Sequence, residues 1–264
     1  MSLFLILLAS AVADSVGIDQ KIDTAKDSVY TPKIIALIQN WPPTDLPSPS
    51  DATGAFWIEA IRTAGNSSYI GLRKRIFIRA PMAKVSPILE DFANYPSVHP
   101  EVQEVRVTAH EPGRWITSWV RDRPAFFLPK ITYEQIYVSQ ESQGRKVYRY
   151  EFKSGSAMNY SDGVIVVEAA SEGTYVTSYD FFEGNFGIAK SFAEGKIWKD
   201  SLEGYARADY ALKIKVENPD WSLKKIQSQV DALIDRFPLH LGQVHYADAL
   251  EIPRKTENTG LEHP

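Results

Sequence analysis

The feature that most constrains the fold is a series of strand-like segments between residues 114 and 181, in several of which side chains alternate with a period of two. This period is typical of strands that bury one face. Gln143-Gly144 and Glu172-Gly173 mark tight turns between successive segments. Consecutive strands with short connections predict an antiparallel meander sheet. The predicted strands are 114–121, 131–139, 146–153, 164–169 and 175–181. The two faces of 131–139 do not separate cleanly, and 164–169 is apolar on both faces, as in a central strand.

The pattern becomes helical after the last of these strands. From about Ala193 to Val216, apolar residues such as Leu202 and Ala206 recur at helical spacing. Asn218-Pro219 interrupts that helix, and Asp220 is a suitable N-cap for a second one. The second helix has an inward stripe of Ile226, Val230, Leu233, Ile234 and Phe237.

A third pattern, in residues 74–108, predicts a strand, a short helix, a proline-bounded turn and another strand. The helix has its apolar stripe at Val85, Ile88, Leu89 and Phe92. Asn94-Tyr95-Pro96 ends it, because a residue before proline disfavours the α region. This order, and the string from Val85 through Leu89, Asp91-Phe92 and Asn94-Tyr95-Pro96 to Pro100, resembles the START-like superfamily, also called Bet v 1-like or polyketide-cyclase/dehydrase-like.

The resemblance covers roughly residues 70 to 215 and implies an α+β helix-grip fold. In such a fold, a curved antiparallel sheet of about six to seven strands wraps a C-terminal helix and leaves an apolar cavity. The expected domain therefore spans residues 70–240, followed by a polar tail, 241–264. The motif is more specific for the fold than for an activity.

The chain before this domain is expected to hold two further parts. Residues 1–13 predict a signal peptide, because an apolar run leads to an A-x-A pattern that ends at Ala13. Export to the periplasm or to the outside of the cell follows, and the absence of cysteine fits a periplasm. Residues 14–69 predict a helical extension. Its last helix starts at Asp51, runs to about Ala64, and has its stripe at Phe56, Trp57, Ala60 and Ile61.

Composition and motifs exclude several function classes. The net charge of −4 and the pI of about 5.8 argue against nucleic-acid binding. The five histidines show no metal-ligand spacing, and no nucleophile elbow, zinc-protease or phosphate-loop motif is present. We therefore expect neither a metal nor a cofactor.

Aromatic residues on the predicted strands are the candidate ligand-binding residues. A plain core would use more Leu, Ile and Val, whereas buried Tyr and Trp need partners for their polar tips. Several of them on one concave face suit an apolar cavity with polar anchors. The alternative is a large aromatic core. The candidates are Trp115, Trp119, Tyr148, Tyr150, Phe152, Tyr175, Tyr179 and Phe181.

These observations predict a monomer that binds or carries a hydrophobic or amphipathic small molecule, such as a lipid, without chemistry and with transient membrane contact. The loop Ala125–Leu128 and the first helix are candidate lids. One alternative is a cyclase- or hydrolase-type enzyme that uses the same cavity. The side chains available to it as acids, bases or anchors are Arg121, Glu168, Asp180 and His99. Another alternative is a protein-interaction module with a filled core.

Overall fold

A computed structural model of the 264-residue chain shows the fold. It describes residues 56–62, 69–99, 102–122, 130–142, 144–156, 158–184 and 190–236. The expected signal peptide, the candidate lid loop Ala125–Leu128 and the expected tail 241–264 lie outside the described residues. None of the helices within these ranges is long and apolar enough to cross a bilayer.

The described residues form one antiparallel sheet of eight strands and two long helices after it. The strands are β1 (Phe56–Arg62), β2 (Tyr69–Ile78), β3 (Val102–Glu111), β4 (Arg114–Arg121), β5 (Ile131–Ser142), β6 (Arg145–Ser156), β7 (Met158–Ala170) and β8 (Gly173–Gly184). Their order in the sheet is β1-β2-β8-β7-β6-β5-β4-β3. The helices are α1 (Met82–Glu90), a 3₁₀ helix (Phe92–Ser97), α2 (Lys190–Glu217) and α3 (Leu223–Arg236). The helix-grip prediction is confirmed.

The helix predicted over 51–64 is wrong for its central part, because Phe56–Arg62 is strand β1. It pairs along its whole length with β2, from Phe56 opposite Ile76 to Arg62 opposite Ile70. The segment is rich in aromatic and β-branched residues, which satisfy helical spacing but favour strands when an open edge is available. The edge of β2 supplies that partner, and the sheet therefore has eight strands instead of six or seven.

Helix α2 covers one face of the sheet, and α3 packs against α2. Lys213 Nζ of α2 donates a hydrogen bond of 2.7 Å to the backbone oxygen of Phe77 in β2. Helix α3 buries Ile226, Val230 and Ile234, three members of the predicted stripe. These contacts place α2 between the sheet and α3.

The segment between β2 and β3 closes one end of the space under α2. Helix α1 contains Pro87, and the 3₁₀ helix contains Pro96. Val85 and Phe92 are buried, as the predicted stripe requires. Glu90 at the end of α1 accepts a hydrogen bond of 2.9 Å from the hydroxyl of Tyr148 in β6. The segment is thereby tied to the sheet face that α2 covers.

Candidate functional site

A small cavity lies between the sheet, α2 and the segment 88–99. Its volume is about 90 Å³. A closed cavity of about 150 Å³ can hold a benzene ring. The space therefore admits a short chain or a few water molecules unless its wall moves. Its lining residues are Lys74, Ile88, Leu89, Tyr95, Val98, His99, Val102, Trp119, Arg121, Tyr133, Gln135, Tyr137, Tyr150, Ser161, Ile165, Asp180, Tyr205, Ala208, Asp209 and Leu212.

Aromatic rings form much of this wall. Phe92, which is 2% exposed, packs behind it with its ring centroid 4.8 Å from that of Tyr137. The rings of Tyr137 and Tyr150 lie 5.2 Å apart, and those of Trp119 and Tyr133 lie 6.0 Å apart and nearly parallel. Aromatic rings at these separations attract one another, which adds to the stabilisation from burying their surface. The wall is therefore apolar and well packed.

One side of the cavity is charged. Lys74 Nζ lies 2.9 Å from Asp209 Oδ1 and 3.8 Å from Asp180 Oδ2. All three side chains are buried, with Lys74 on β2, Asp180 on β8 and Asp209 on α2. Buried charges persist only when they are paired and hydrogen-bonded. This ion-pair cluster therefore joins α2 to the sheet at the cavity.

Burial and neighbouring charges shift the pKa values in this cluster. Burial by itself would lower the pKa of Lys74, but the charges of Asp209 and Asp180 raise it overall. Burial raises the pKa of Asp209, and Lys74 opposes that change. Perturbed groups of this kind in a cavity are candidates for a functional site.

Tyr150 joins the aromatic wall to the charged cluster. Its hydroxyl donates to Asp180 Oδ1, while Ser178 Oγ donates to Asp180 Oδ2 at 3.1 Å. Burial, followed by the charge of Asp180, raises the pKa of Tyr150 well above its ordinary value. The phenol ring passes directly over Gly163, where a Cβ atom would clash with the Tyr150 hydroxyl and with the backbone oxygen of Tyr179. The position thus requires glycine.

Gly163→Ala is expected to lower the free energy of unfolding by about 1–3 kcal/mol, because the added methyl group overpacks the wall. It should also move the Tyr150 hydroxyl away from Asp180. Chemical denaturation of the single variants and of Gly163→Ala/Tyr150→Phe measures the effect. Since the hydroxyl is among the clashing atoms, the double variant should be less destabilised than the sum of the two single variants. Strict additivity would contradict this packing.

The polar tips of the aromatic wall are already hydrogen-bonded within the protein. Trp119 Nε1 donates to Thr117 Oγ1 at 2.7 Å, and the Tyr137 hydroxyl donates to Gln135 Oε1 at 3.1 Å. Gln135 Nε2 in turn donates to Ser161 Oγ at 2.8 Å. The expectation that Tyr and Trp tips orient a ligand therefore finds no support in these contacts.

His99 lies at the end of the segment between β2 and β3, where it lines the cavity beside α2. Its ring meets that of Tyr205 edge-on at 5.9 Å. Burial, with the positive charges of Arg121 and Lys74, lowers the pKa of His99 well below 6.5. Its Nδ1 atom is enclosed and has no hydrogen-bond partner among the described residues. His99 is therefore a neutral imidazole at neutral pH.

Five of the eight predicted ligand-binding residues belong to the sheet face under α2. Trp119 and Tyr150 line the cavity. Trp115 and Phe152 pack in the adjacent aromatic cluster, and Tyr148 is buried where its hydroxyl reaches Glu90. These last three do not line the cavity. The structure thus brings two of the eight to the site.

The predicted face of β8 is wrong. Asp180 points into the cavity, so its neighbours along the strand point to the opposite face. Tyr175 lies there, with its ring 5.0 Å from that of Phe77 and beneath the guanidinium of Arg75. Tyr179 is fully buried on that face. Phe181 belongs to β8, but its side chain lies outside the described residues. Aromatic content favoured the wrong face because the correct one carries Ser178 and Asp180, and Asp180 is paired with Lys74 and Tyr150, which are distant in sequence.

Three of the four charged or titratable candidates line the cavity, namely Arg121, Asp180 and His99. Glu168 does not. It lies on the other face of the sheet, within 3.8 Å of Arg75 Nη2 and 3.5 Å of Arg145 Nε. Within the described ranges, no group of three or more His, Asp or Glu side chains is arranged to hold a metal ion.

Sequence reasoning missed Lys74, Asp209, Gln135 and Tyr205. Lys74 and Gln135 interrupt otherwise apolar positions of their strands, which is a usable signal for a buried polar residue. Asp209 lies one turn beyond Tyr205 on the helix and shares its face. The sequence indicates that these polar residues are buried, but only the contact between β2 and α2 shows that Lys74 and Asp209 pair with each other.

Comparison with known proteins agrees with this fold. Residues 70–213, more than half of the chain, match the family model for polyketide cyclase / dehydrase and lipid transport. The chain belongs to this polyketide cyclase/dehydrase and lipid transport family. Its description includes both lipid transport and cyclase or dehydrase chemistry, so membership alone does not distinguish carriage from catalysis. No curated protein matches the chain.

Solved structures similar to this member of the family include three bacterial proteins. The protein TTHA0849 from Thermus thermophilus is 21% identical, with a TM-score of 0.48 over 56% of this chain and 98% of that one. A STAR-related lipid transfer protein from Xanthomonas axonopodis is 14% identical, with a TM-score of 0.45 over 69% and 96%. The Zhui aromatase/cyclase from a Streptomyces species is 13% identical, with a TM-score of 0.39 over 63% and 96%.

Proposed function

We propose that this protein binds and carries a compact, mostly apolar molecule with one polar group, and that it does not convert this molecule chemically. The observation that carries the proposal is the asymmetry of the cavity. Aromatic and aliphatic side chains form most of its wall, and the Lys74–Asp180–Asp209 cluster lies on one side. Pockets that are mostly apolar with a few polar groups suit amphipathic ligands.

Burial of apolar ligand surface supplies the affinity in this proposal. Each Å² removed from water contributes roughly 25 cal/mol. Because the cavity holds only about 90 Å³, a ligand larger than a short chain requires the wall to move. The segment 82–99 is the candidate for this movement, because its residues line one side of the cavity. To move, it would have to break the contacts of Glu90 with Tyr148 and Lys146, at 2.9 and 2.5 Å.

The geometry favours binding over catalysis for a specific reason. A general base needs an open acceptor and a group that orients it. Both oxygens of Asp180 already accept hydrogen bonds, from Tyr150 and Ser178. His99 Nδ1 has no hydrogen-bond partner within the described part of the chain, so no carboxylate there orients the imidazole through that atom. The cyclase or hydrolase alternative rests on the presence of these two side chains in one cavity.

Native mass spectrometry of the purified protein, with organic extraction of bound molecules, tests the proposal. A discrete co-purifying hydrophobic molecule, recovered unchanged after incubation with the protein, is the expected result. Recovery of a converted molecule would favour the enzyme instead. A protein that co-purifies with nothing and binds no added hydrophobic compound would favour the interaction module with a filled core.

Trp119→Phe should reduce the bound fraction of this molecule several-fold, because Trp119 lines the cavity and its smaller replacement breaks the contact with Tyr133. Trp115→Phe is the matched control, since Trp115 is buried in the same cluster but does not line the cavity. The bound fraction is read from the ratio of ligand-bound to free protein in native spectra. Equal losses in both variants would show that the effect arises from general core packing.

A further inference from the structure

The face of the sheet opposite α2 is mostly apolar at its centre. Phe77 of β2, Thr177 and Tyr179 of β8, and Val164 and Val166 of β7 lie there, and we call these five residues the outer patch. Its members are neighbours across the strands, because Val164 pairs with Tyr179 and Val166 pairs with Thr177. An antiparallel sheet face that is open to water usually carries polar side chains instead.

The outer patch is not part of the core under α2. Its strand neighbours Ile76, Val167 and Val176 pack in that core, so by alternation the patch side chains point the other way. The two hydrophobic clusters that join the described helices to the sheet include none of the five patch residues. Within the described ranges, the helices therefore leave this face without a cover.

The outer patch is nevertheless enclosed. Thr177 and Tyr179 are 0% exposed, and Phe77, Val164 and Val166 are each 1% exposed. Side chains stand roughly perpendicular to a sheet, so neighbouring strands alone do not shield large side chains from water. Another part of the same chain must cover the patch, and that part lies outside the described residues.

Two long stretches lie outside the described ranges, 1–55 and 237–264. The first joins the sheet beside the patch, because Phe56 at the start of β1 is opposite Ile76, the neighbour of Phe77. The second follows α3, which contacts α2 through the pair of Asp231 and Arg207. It would have to pass around α2 and an edge of the sheet to reach the patch. Position in the fold therefore favours the stretch before β1.

Residues 31–41, TPKIIALIQNW, are the part of this stretch that suits an apolar surface. Their apolar side chains include Ile34, Ile35 and Ile38. A helix of this length is about 16 Å long. The three strands of the patch span about 10 Å between the outer two. The connector 42–55 reaches up to about 45 Å when extended, which is enough to return from the patch to β1.

We propose that residues 31–41 pack their apolar side chains onto the outer patch. The sheet then lies between two layers, with α2 on one face and this N-terminal segment on the other. The extension is thus an integral layer of the domain and not a tether. This inference does not depend on the proposed binding function, because the patch and the cavity lie on opposite faces of the sheet.

Cysteine cross-linking of the full chain tests this proposal. The chain contains no cysteine, so every disulfide reports an introduced pair. Ile34→Cys, Ile35→Cys and Ile38→Cys are each combined with Val166→Cys and oxidised with copper phenanthroline. At least one pair should form an intramolecular disulfide, because two cysteines link only when their Cα atoms approach within about 7 Å. Non-reducing electrophoresis and mass spectrometry of peptides measure the linked fraction.

Val167→Cys is the matched control for Val166→Cys. Val167 is the next residue of β7 and is equally buried, but it points into the core under α2. The linked fraction of the best segment position should be at least about tenfold lower with Val167→Cys than with Val166→Cys, since the sheet separates the two positions. Thermal unfolding of each reduced variant verifies that it is folded.

Three outcomes overturn the inference, and none of them bears on ligand binding in the cavity. A disulfide between Val166→Cys and Leu250→Cys, with none at the three segment positions, would assign the cover to the stretch 237–264. A disulfide-linked dimer of the single variant Val166→Cys would assign it to a second copy of the chain. Equal or absent cross-linking of the segment with Val166→Cys and Val167→Cys would show that residues 31–41 do not contact the patch.

Discussion

Replacing Lys74 by methionine is expected to lower the free energy of unfolding by about 3–5 kcal/mol, because two buried carboxylates lose their shared counter-charge. Lys74 Nζ is 2.9 Å from Asp209 and 3.8 Å from Asp180, and the side chain of each is about nine-tenths buried. Methionine preserves much of the volume and removes the charge. Urea denaturation at pH 7 measures the loss.

The matched control is Lys153→Met, which removes a lysine from an exposed pair. Lys153 Nζ is 3.0 Å from Glu134 Oε2, but its side chain is 44% exposed. Exposed pairs contribute about 0–1 kcal/mol, so this variant should be near neutral. An equal, small effect of both substitutions would show that the Lys74 cluster contributes no more than a surface pair.

The loss of stability caused by Lys74→Met should be largest near pH 7 and should become smaller toward both acidic and alkaline pH. Without Lys74, burial raises the pKa of Asp209 further, and the folded state binds more protons than the unfolded state above the ordinary value of 3.8. Stability of the variant therefore recovers as pH falls from 7 toward 4. On the alkaline side, the raised pKa of Lys74 keeps its contribution present below 10.5 in wild type. Wild type loses that contribution as pH rises through the folded pKa of Lys74. The difference in free energy of unfolding between wild type and Lys74→Met therefore becomes smaller at alkaline pH as well.

The second large effect is expected for Phe92→Ala, which should lower the free energy of unfolding by about 3–5 kcal/mol. Phe92 is 2% exposed and meets four aromatic rings. Their centroid distances are 4.8 Å for Tyr137, 5.5 Å for Tyr95, 5.7 Å for Trp115 and 6.4 Å for Trp119. Truncation leaves a void behind the cavity wall that rigid rings fill poorly.

Val107→Ala is the control for Phe92→Ala, since Val107 is 44% exposed on β3. Exposed substitutions usually stay within about 0.5 kcal/mol. For each variant, the midpoint of denaturant unfolding gives the change in the free energy of unfolding, provided that the slope m equals that of wild type. A loss below about 1 kcal/mol for Phe92→Ala would mean that the wall collapses into the space without penalty. In that case, the aromatic rings around the cavity rearrange much more easily than their packing indicates.

Much of the fold was accessible from the sequence because it depends on local patterns. The strand alternation, the turns at Gly144 and Gly173, and the apolar stripes of α1 and α3 each arise from residues within a few positions of one another. Gly144 adopts a positive φ of 68°, as a glycine in such a turn can. The face shared by Trp115 and Trp119 in β4 was also assigned correctly by alternation alone.

The parts that only the tertiary structure decided depend on partners far apart in the chain. Alternation shows that β8 has two faces but not which one turns toward α2. Asp180 turns inward because Lys74 neutralises it, and Lys74 is held in turn by Asp209, 135 positions away. Phe56–Arg62 is a strand because the edge of β2 was open to it. Local sequence patterns determined most of the elements, whereas pairing between distant charges and edges made Phe56–Arg62 a strand and determined which side chains meet in the cavity.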